Sequence, residues 1–150
     1  MSTITIEKAK SLLEGGFTCA IFEGEKVLKS EKRGVAPLLE WLESGLSGKD
    51  FYGFSAVDKV VGKAAAFLYV LLGVKELYAF VLSDEAEKVL IAHGIAVGYQ
   101  EKVPAIRNRT NTGFCPMEQA VWDIDEPNAA RLAILQTLEK LRNAQKEERK

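Results

Sequence analysis

Between Val60 and Leu72 apolar residues recur on every side of a helical projection, and this stretch limits the fold more than any other part of the chain. Its charge-free portion, Ala64 to Val74, falls well short of the ~20 residues that span a bilayer. A helix that is apolar all round and too short for a membrane has to lie between a sheet and a further layer. Its opening, Gly62-Lys63-Ala64-Ala65-Ala66, is small enough for another backbone or side chain to come close.

The flanking segments supply the sheet and the remaining helices. Ile6, Ala9, Leu12 and Leu13 recur at helical spacing, with Thr5 as N-cap and Gly15-Gly16 as the stop. The runs Phe17 to Phe22 and Lys26 to Ser30 flank Glu23-Gly24-Glu25 and predict a hairpin. Pro37 opens a short helix that Gly45 closes, and Phe51 to Val57 reads as a strand before the apolar helix. Leu77 to Leu82 is a strand, Ser83 caps a helix ending at His93-Gly94, and Ile95 to Tyr99 is another strand. A polar loop, Arg107 to Gly113, precedes a helix starting at Cys115-Pro116-Met117-Glu118, and a last helix runs from Pro127 to about Asn143. The order α-β-β-α-β-α-β-α-β-α-α predicts an α/β fold: a three-layer α/β/α sandwich with a mixed sheet of about five strands and parallel crossovers after the hairpin.

The size and balance of the chain restrict its class. With 150 residues, 47% of them hydrophobic, the expectation is a single domain over residues 1–143 with a charged tail at 144–150. Twenty basic residues face twenty-one acidic ones, so no global field favours nucleic acid or an anionic membrane. Neither partner is expected. The opening Met1-Ser2-Thr3-Ile4-Thr5 lacks the pattern of a secretory signal, which gives a cytoplasmic expectation. Two isolated cysteines, Cys19 and Cys115, form no disulfide framework and are expected reduced.

In α/β folds of this kind ligands gather where strands end and helices begin. Asp58 and Lys63 flank one such junction. In a partly dry cleft Lys63 could bind an anion or act as a base or amine nucleophile, whereas the structural alternative makes Asp58 an N-cap and sends Lys63 to solvent. Pro116 suits the first helical position and so puts Cys115 at the N-cap, where backbone N–H groups favour a thiolate; the alternative is a half-buried capping residue. Glu118, at the third helical position, is expected to fold back on its own N-cap amide as a capping box. Arg107, Asn108 and Arg109 sit in a polar loop that could clamp a phosphate or carboxylate, or be solvated. His93 reads as a helix C-terminal residue and Cys19 as core.

Taken together, Asp58-Lys59-Val60-Val61-Gly62-Lys63-Ala64-Ala65-Ala66, Asn108-Arg109 and Cys115-Pro116-Met117-Glu118 resemble domain-of-unknown-function family eighteen ninety-three. The resemblance covers nearly the whole chain and implies a cytidine-deaminase-like fold, for a family without an established reaction. Zinc deaminases open one helix with a histidine or cysteine ligand and a glutamate, and the next with Pro-Cys-x-x-Cys. Here the matching helix starts carry Gly62-Lys63-Ala64-Ala65 and Ser83-Asp84-Glu85-Ala86; in Cys115-Pro116-Met117-Glu118 the proline follows the cysteine, and Glu118 stands where a second cysteine would be needed. No metal or other cofactor is expected.

The expected function is binding of a small molecule, nucleotide-like or phosphorylated, in a deaminase-like cleft without zinc ligands, lined by Asp58, Lys63, Arg107, Asn108, Arg109, Cys115 and Glu118. Its catalytic form would be metal-free chemistry by Cys115 or Lys63. The alternative is a non-catalytic ligand-sensing or oligomer-forming module, with a homodimer formed through the helix face carrying Leu132, Leu135 and Leu138.

Overall fold

Most of the apolar stretch is a helix, buried from Lys63 to Tyr69 and at Leu72 and half-buried at Val70 and Leu71, and much of the chain is arranged to cover it. The computed structural model describes residues 3–44, 51–107 and 115–148, with side chains as far as residue 144. Among these residues the elements follow the order expected from the sequence. They are α1 (Ile6–Leu12), β1 (Cys19–Glu23), β2 (Lys26–Ser30), α2 (Ala36–Ser44), β3 (Ser55–Val61) and α3 (Lys63–Leu72), then β4 (Glu76–Ser83), α4 (Asp84–Ala92), β5 (Ala96–Val103), α5 (Pro116–Val121) and α6 (Pro127–Glu148).

One mixed five-stranded sheet has the spatial order β2-β1-β3-β4-β5. The β1–β2 hairpin is antiparallel, and β1 also pairs antiparallel with β3. The β3–β4 and β4–β5 pairs are parallel. Because both parallel steps move in the same direction across the sheet, crossovers of one hand place α3 and α4 on the same face. There Phe67, Leu68, Tyr69 and Leu72 of α3 join Leu38 of α2, Leu90 of α4, Val121 of α5 and Ile134 of α6 in the main core. The other face is covered by α1, whose Ala9 and Leu12 pack with the adjoining Leu13 on Ala20, Val57 and Tyr78. The result is a three-layer α/β/α arrangement.

Several boundaries differ from the sequence expectation. Val60 and Val61 belong to β3, not to the helix: they pair with Val81 and Leu82, and α3 starts only after Gly62. Two β-branched residues with ladder partners extend a strand more readily than they open a helix. β5 likewise runs on to Val103, and α6 continues past Asn143 to Glu148. The α6 face turned inward carries Ala130, Ile134 and the partly buried Leu138, at intervals of four. Leu132 and Leu135 are 58% and 37% exposed, so the interval of three does not mark the packed face. Among the described residues no helix is long and apolar enough to cross a membrane.

α3 ends on Gly73, which adopts φ +80 and donates its N–H to the Tyr69 and Val70 carbonyls. A Cβ there would lie 2.1 Å from the Tyr52 ring. Gly73→Ala therefore meets both a left-handed backbone and a steric block, and is expected to lower the unfolding free energy by about 2 kcal/mol in urea denaturation. Gly94→Ala, which shares the positive φ but has open space around it, should cost visibly less.

Candidate functional site

The junction between β3 and α3 sets the geometry of the site. Gly62 occupies the N-cap in an extended conformation and offers no side chain to satisfy the first helical N–H groups. Those groups are met from a distant part of the chain. Glu118 Oε1 accepts the Lys63 N–H at 2.8 Å, and Oε2 accepts the Ala64 N–H at 2.9 Å. Their approach requires glycine, because a Cβ on Gly62 would stand 1.7 Å from Glu118 Oε1. The expected capping box does not form. Cys115 N–H donates to the Ile106 carbonyl, while Glu118 serves a different helix, where two buried donors and a positive helix end make the stronger partner.

Lys63 completes the clasp. Its buried side chain lies along the Phe67 ring, and its ammonium donates to the Trp122 carbonyl at 2.7 Å, just beyond α5. One residue of α3 thus holds α5 at both ends, through its backbone N–H on Glu118 and its ammonium on Trp122. In this arrangement the ammonium is directed at a structural carbonyl; Gly62, Ala64 and Ala65 line the adjoining cleft, and Lys63 does not. Burial pushes the Glu118 carboxyl above its ordinary range, against the opposing pull of the Ala64 and Lys63 N–H groups and the Lys63 ammonium.

The cleft beside this clasp has a volume of about 670 Å3. It runs from the carboxyl end of β3 to the β2–α2 connection on one side and to Ile106, Cys115 and Met117 on the other. Asp58 reaches it from mid-strand, where it lies opposite Cys19 in β1 and Ala79 in β4. It is not an N-cap. Oδ2 accepts the Tyr69 hydroxyl at 2.7 Å, and Oδ1 accepts the Val60 N–H at 3.3 Å.

Asp58 is 7% exposed, and burial raises its carboxyl from 3.8 to about 7 although Tyr69 and the Val60 and Lys59 N–H groups all favour the charged form. Burial, then the Asp58 charge, pushes the neighbouring Cys19 thiol up to about 12, and the same two causes hold the Tyr69 hydroxyl well above its ordinary value. Cys19 is therefore a neutral thiol, as a core residue should be.

Of the residues expected at the site, Asp58, Cys115 and Glu118 converge on the cleft wall. Arg107 is exposed and lies outside the lining, whereas its neighbour Ile106 forms part of it. Asn108 and Arg109 lie outside the described residues. Cys115 is half-buried at the N-cap of α5, and its side chain makes no capping hydrogen bond. Among the described residues no three His, Cys, Asp or Glu side chains are grouped to hold a metal. Sequence reasoning missed Tyr69. Its hydroxyl sits in an otherwise apolar helix and needs a buried partner, which was the available signal.

With this geometry in place, comparison with known proteins identifies the family. The family model for a domain of unknown function, DUF1893, matches residues 7–138. The chain belongs to the DUF1893 family. A crystal structure of a DUF1893 family protein, TM1506 from Thermotoga maritima, is 25% identical and superposes with a TM-score of 0.77, covering 93% of this chain and 92% of that one. No functionally curated protein matches the DUF1893 chain described here.

Two outcomes follow from the clasp and the buried acid. Glu118→Ala strands two buried N–H groups and should cost about 3 kcal/mol in urea unfolding, with Glu118→Gln, which keeps an acceptor oxygen, costing about half as much. For Asp58 the folded state binds the proton more tightly than the unfolded chain, so its contribution to stability falls as pH rises from about 4 to about 7. Asp58→Asn should remove that slope and leave the protein as stable as wild type or more so above pH ~7, by up to on the order of 3 kcal/mol. Thermal unfolding of both proteins across this pH range reads the difference directly.

Proposed function

We propose that this DUF1893 protein is a small-molecule-binding domain of cytidine-deaminase-like architecture, whose ligand occupies the cleft between β3, α3 and α5. The observation that carries this reading is the cleft itself, about 670 Å3 in volume with a buried acid at its wall. That volume is typical of sites for small organic ligands, which run from roughly 300 to 1,000 Å3. Retention of a carboxyl that burial raises to about 7 adds support, because a residue serving packing alone has no need of that cost.

The zinc centre of the deaminases does not fit these residues. α3 opens with Gly62, Lys63, Ala64 and Ala65, none of them a zinc ligand in this setting, and the Glu118 carboxylate already receives two backbone N–H groups. A metal drawn to Glu118 would compete with both of those bonds for the carboxylate charge. In the catalytic form of the proposal Cys115, half-buried on the cleft wall, supplies a nucleophile, and Asp58 supplies or accepts a proton. Lys63 is the weaker candidate, since reaching the cleft would require its ammonium to leave Trp122.

A non-catalytic module is the second reading, favoured by the exposed Leu132 and Leu135 on α6. Thermal shift against a panel of nucleosides, nucleotides, amines and organic acids separates the two. A stabilising hit abolished by Asp58→Asn and followed by Cys115-dependent turnover supports the enzyme, and a hit without turnover supports the module. If no compound shifts either protein, the cleft reading fails. The pH profile of Cys115 alkylation tests the nucleophile separately: half-maximal reactivity at or above ~8.5, the free-thiol value, would remove it from the proposal.

A further inference from the structure

The buried polar groups along the cleft leave acceptors rather than donors available. Four donors at its edge are already engaged by the protein's own acceptors. The Lys63 and Ala64 N–H groups bind Glu118, the Lys63 ammonium binds the Trp122 carbonyl, and the Thr18 hydroxyl is placed on the Ser30 and Lys32 carbonyls. The helix start that would ordinarily attract a phosphate thus has an internal carboxylate on its first two N–H groups. Acceptor capacity remains. A carboxylate offers about four lone-pair sites; on Asp58 the Tyr69 hydroxyl and the Val60 and Lys59 N–H groups fill part of that capacity, the Val60 bond on Oδ1 being a long 3.3 Å. Much of the surrounding wall, including Val35, Ala65, Ile106 and Met117, is apolar.

An anion entering this space would meet the Asp58 carboxyl beside the buried Glu118. A cation would find a counter-charge in a poorly hydrated setting, where a charge-assisted hydrogen bond is strong. Arg33 and Lys59 also border the cleft, but both are exposed and solvent screens them.

From this donor and acceptor balance we propose that the cleft takes an organic nitrogen cation of the amidine or amine class with an apolar body, its N–H groups directed at Asp58 Oδ1. Tyr69 is the positioning residue, fixing the carboxyl through Oδ2. The inference rests on the reading of the cleft as a ligand site and deepens it by naming the chemistry of the ligand; it sets aside a phosphorylated ligand. Because the cation needs the ionised carboxyl, binding competes with the proton on Asp58. The groups facing that carboxyl are Tyr69 from α3 and Cys19 from β1, with non-titrating Ala79 on β4 and with Glu31, Arg33, Lys59 and Glu118 along the cleft.

Benzamidine and benzoate are near-isosteres of opposite charge, and inorganic phosphate serves as a compact anion. The full chain, labelled with carbon-13 at the aspartate carboxyls, is titrated with each probe at constant ionic strength, with the Asp58 resonance assigned by its loss in Asp58→Asn. Benzamidine should shift the resonance saturably at about pH 8 and bind about tenfold more weakly at about pH 6, where most of the carboxyl is protonated. Benzoate and phosphate should leave it in place. In Tyr69→Phe the loss of a bond favouring the charged form should move the midpoint of this pH dependence upward. Benzamidine affinity that is unchanged in Asp58→Asn, or flat between the two pH values, overturns the proposal. Saturable binding of phosphate or benzoate at Asp58 overturns it too, while leaving the cleft a ligand site. Absence of a benzamidine shift sinks the cation inference alone, since the metabolite panel judges the cleft independently.

Discussion

The bidentate contact between Glu118 and the start of α3 is the interaction on which the rest of the structure depends. A helix buried on all sides has nowhere to send its first N–H groups except to another part of the protein, and its glycine N-cap supplies nothing. The Glu118 carboxylate meets two of those donors and the positive end of the helix at once. By doing so it ties α5, more than fifty residues away in sequence, to the sheet through α3. The Lys63 ammonium on the Trp122 carbonyl closes the same clasp from the other side. Removing the carboxylate would take away a helix cap and one of the ties that hold α5 to α3.

This internal anion also determines what the cleft can offer. Helix starts beside a sheet commonly receive phosphates, but here two of the donors that would do so are occupied. Asp58 is the buried acid of the cleft wall that does not cap a helix start. Its position is costly, because burial holds the carboxyl near neutrality at physiological pH and raises Tyr69 and Cys19 with it. Local inconsistencies of this kind tend to collect at working sites, where stability gives way to chemistry. The Glu118 carboxyl is shifted the same way, yet each of its oxygens caps an N–H group of α3 and it reads as structural.

Much of the architecture was legible because it rests on local chemistry. Thr5 and Ser83 cap α1 and α4 through their side chains, as their positions before apolar-periodic runs imply. Pro116 sits at the start of α5, and the order of the eleven elements among the described residues follows from periodicity and turn residues. Val60 and Val61 were misread because they run into an apolar helix across no more than Gly62 and Lys63, and only the ladder partners Val81 and Leu82 assign them to the strand. Glu118 was misread for a different reason. Three residues after an N-cap, a glutamate satisfies the local capping pattern, but that pattern cannot register a competing pair of buried N–H groups brought from elsewhere.

From the residues alone it follows that α3 must be buried and that Gly62 and Ala64 to Ala66 leave room for a close approach. Both follow from side-chain volume and polarity, which are properties of each residue alone. The sequence also pointed to Asp58, Cys115 and Glu118, since strand ends and helix starts are where polar groups in such a fold can meet. Only the tertiary structure decided their roles. It turned Lys63 and Glu118 into the clasp between α3 and α5, and it set Tyr69 on Asp58. Those assignments depend on distances between segments far apart in the chain, and on a degree of burial that raises one acid to about 7 while another is held by the backbone. Neither quantity is a property of any local stretch of residues.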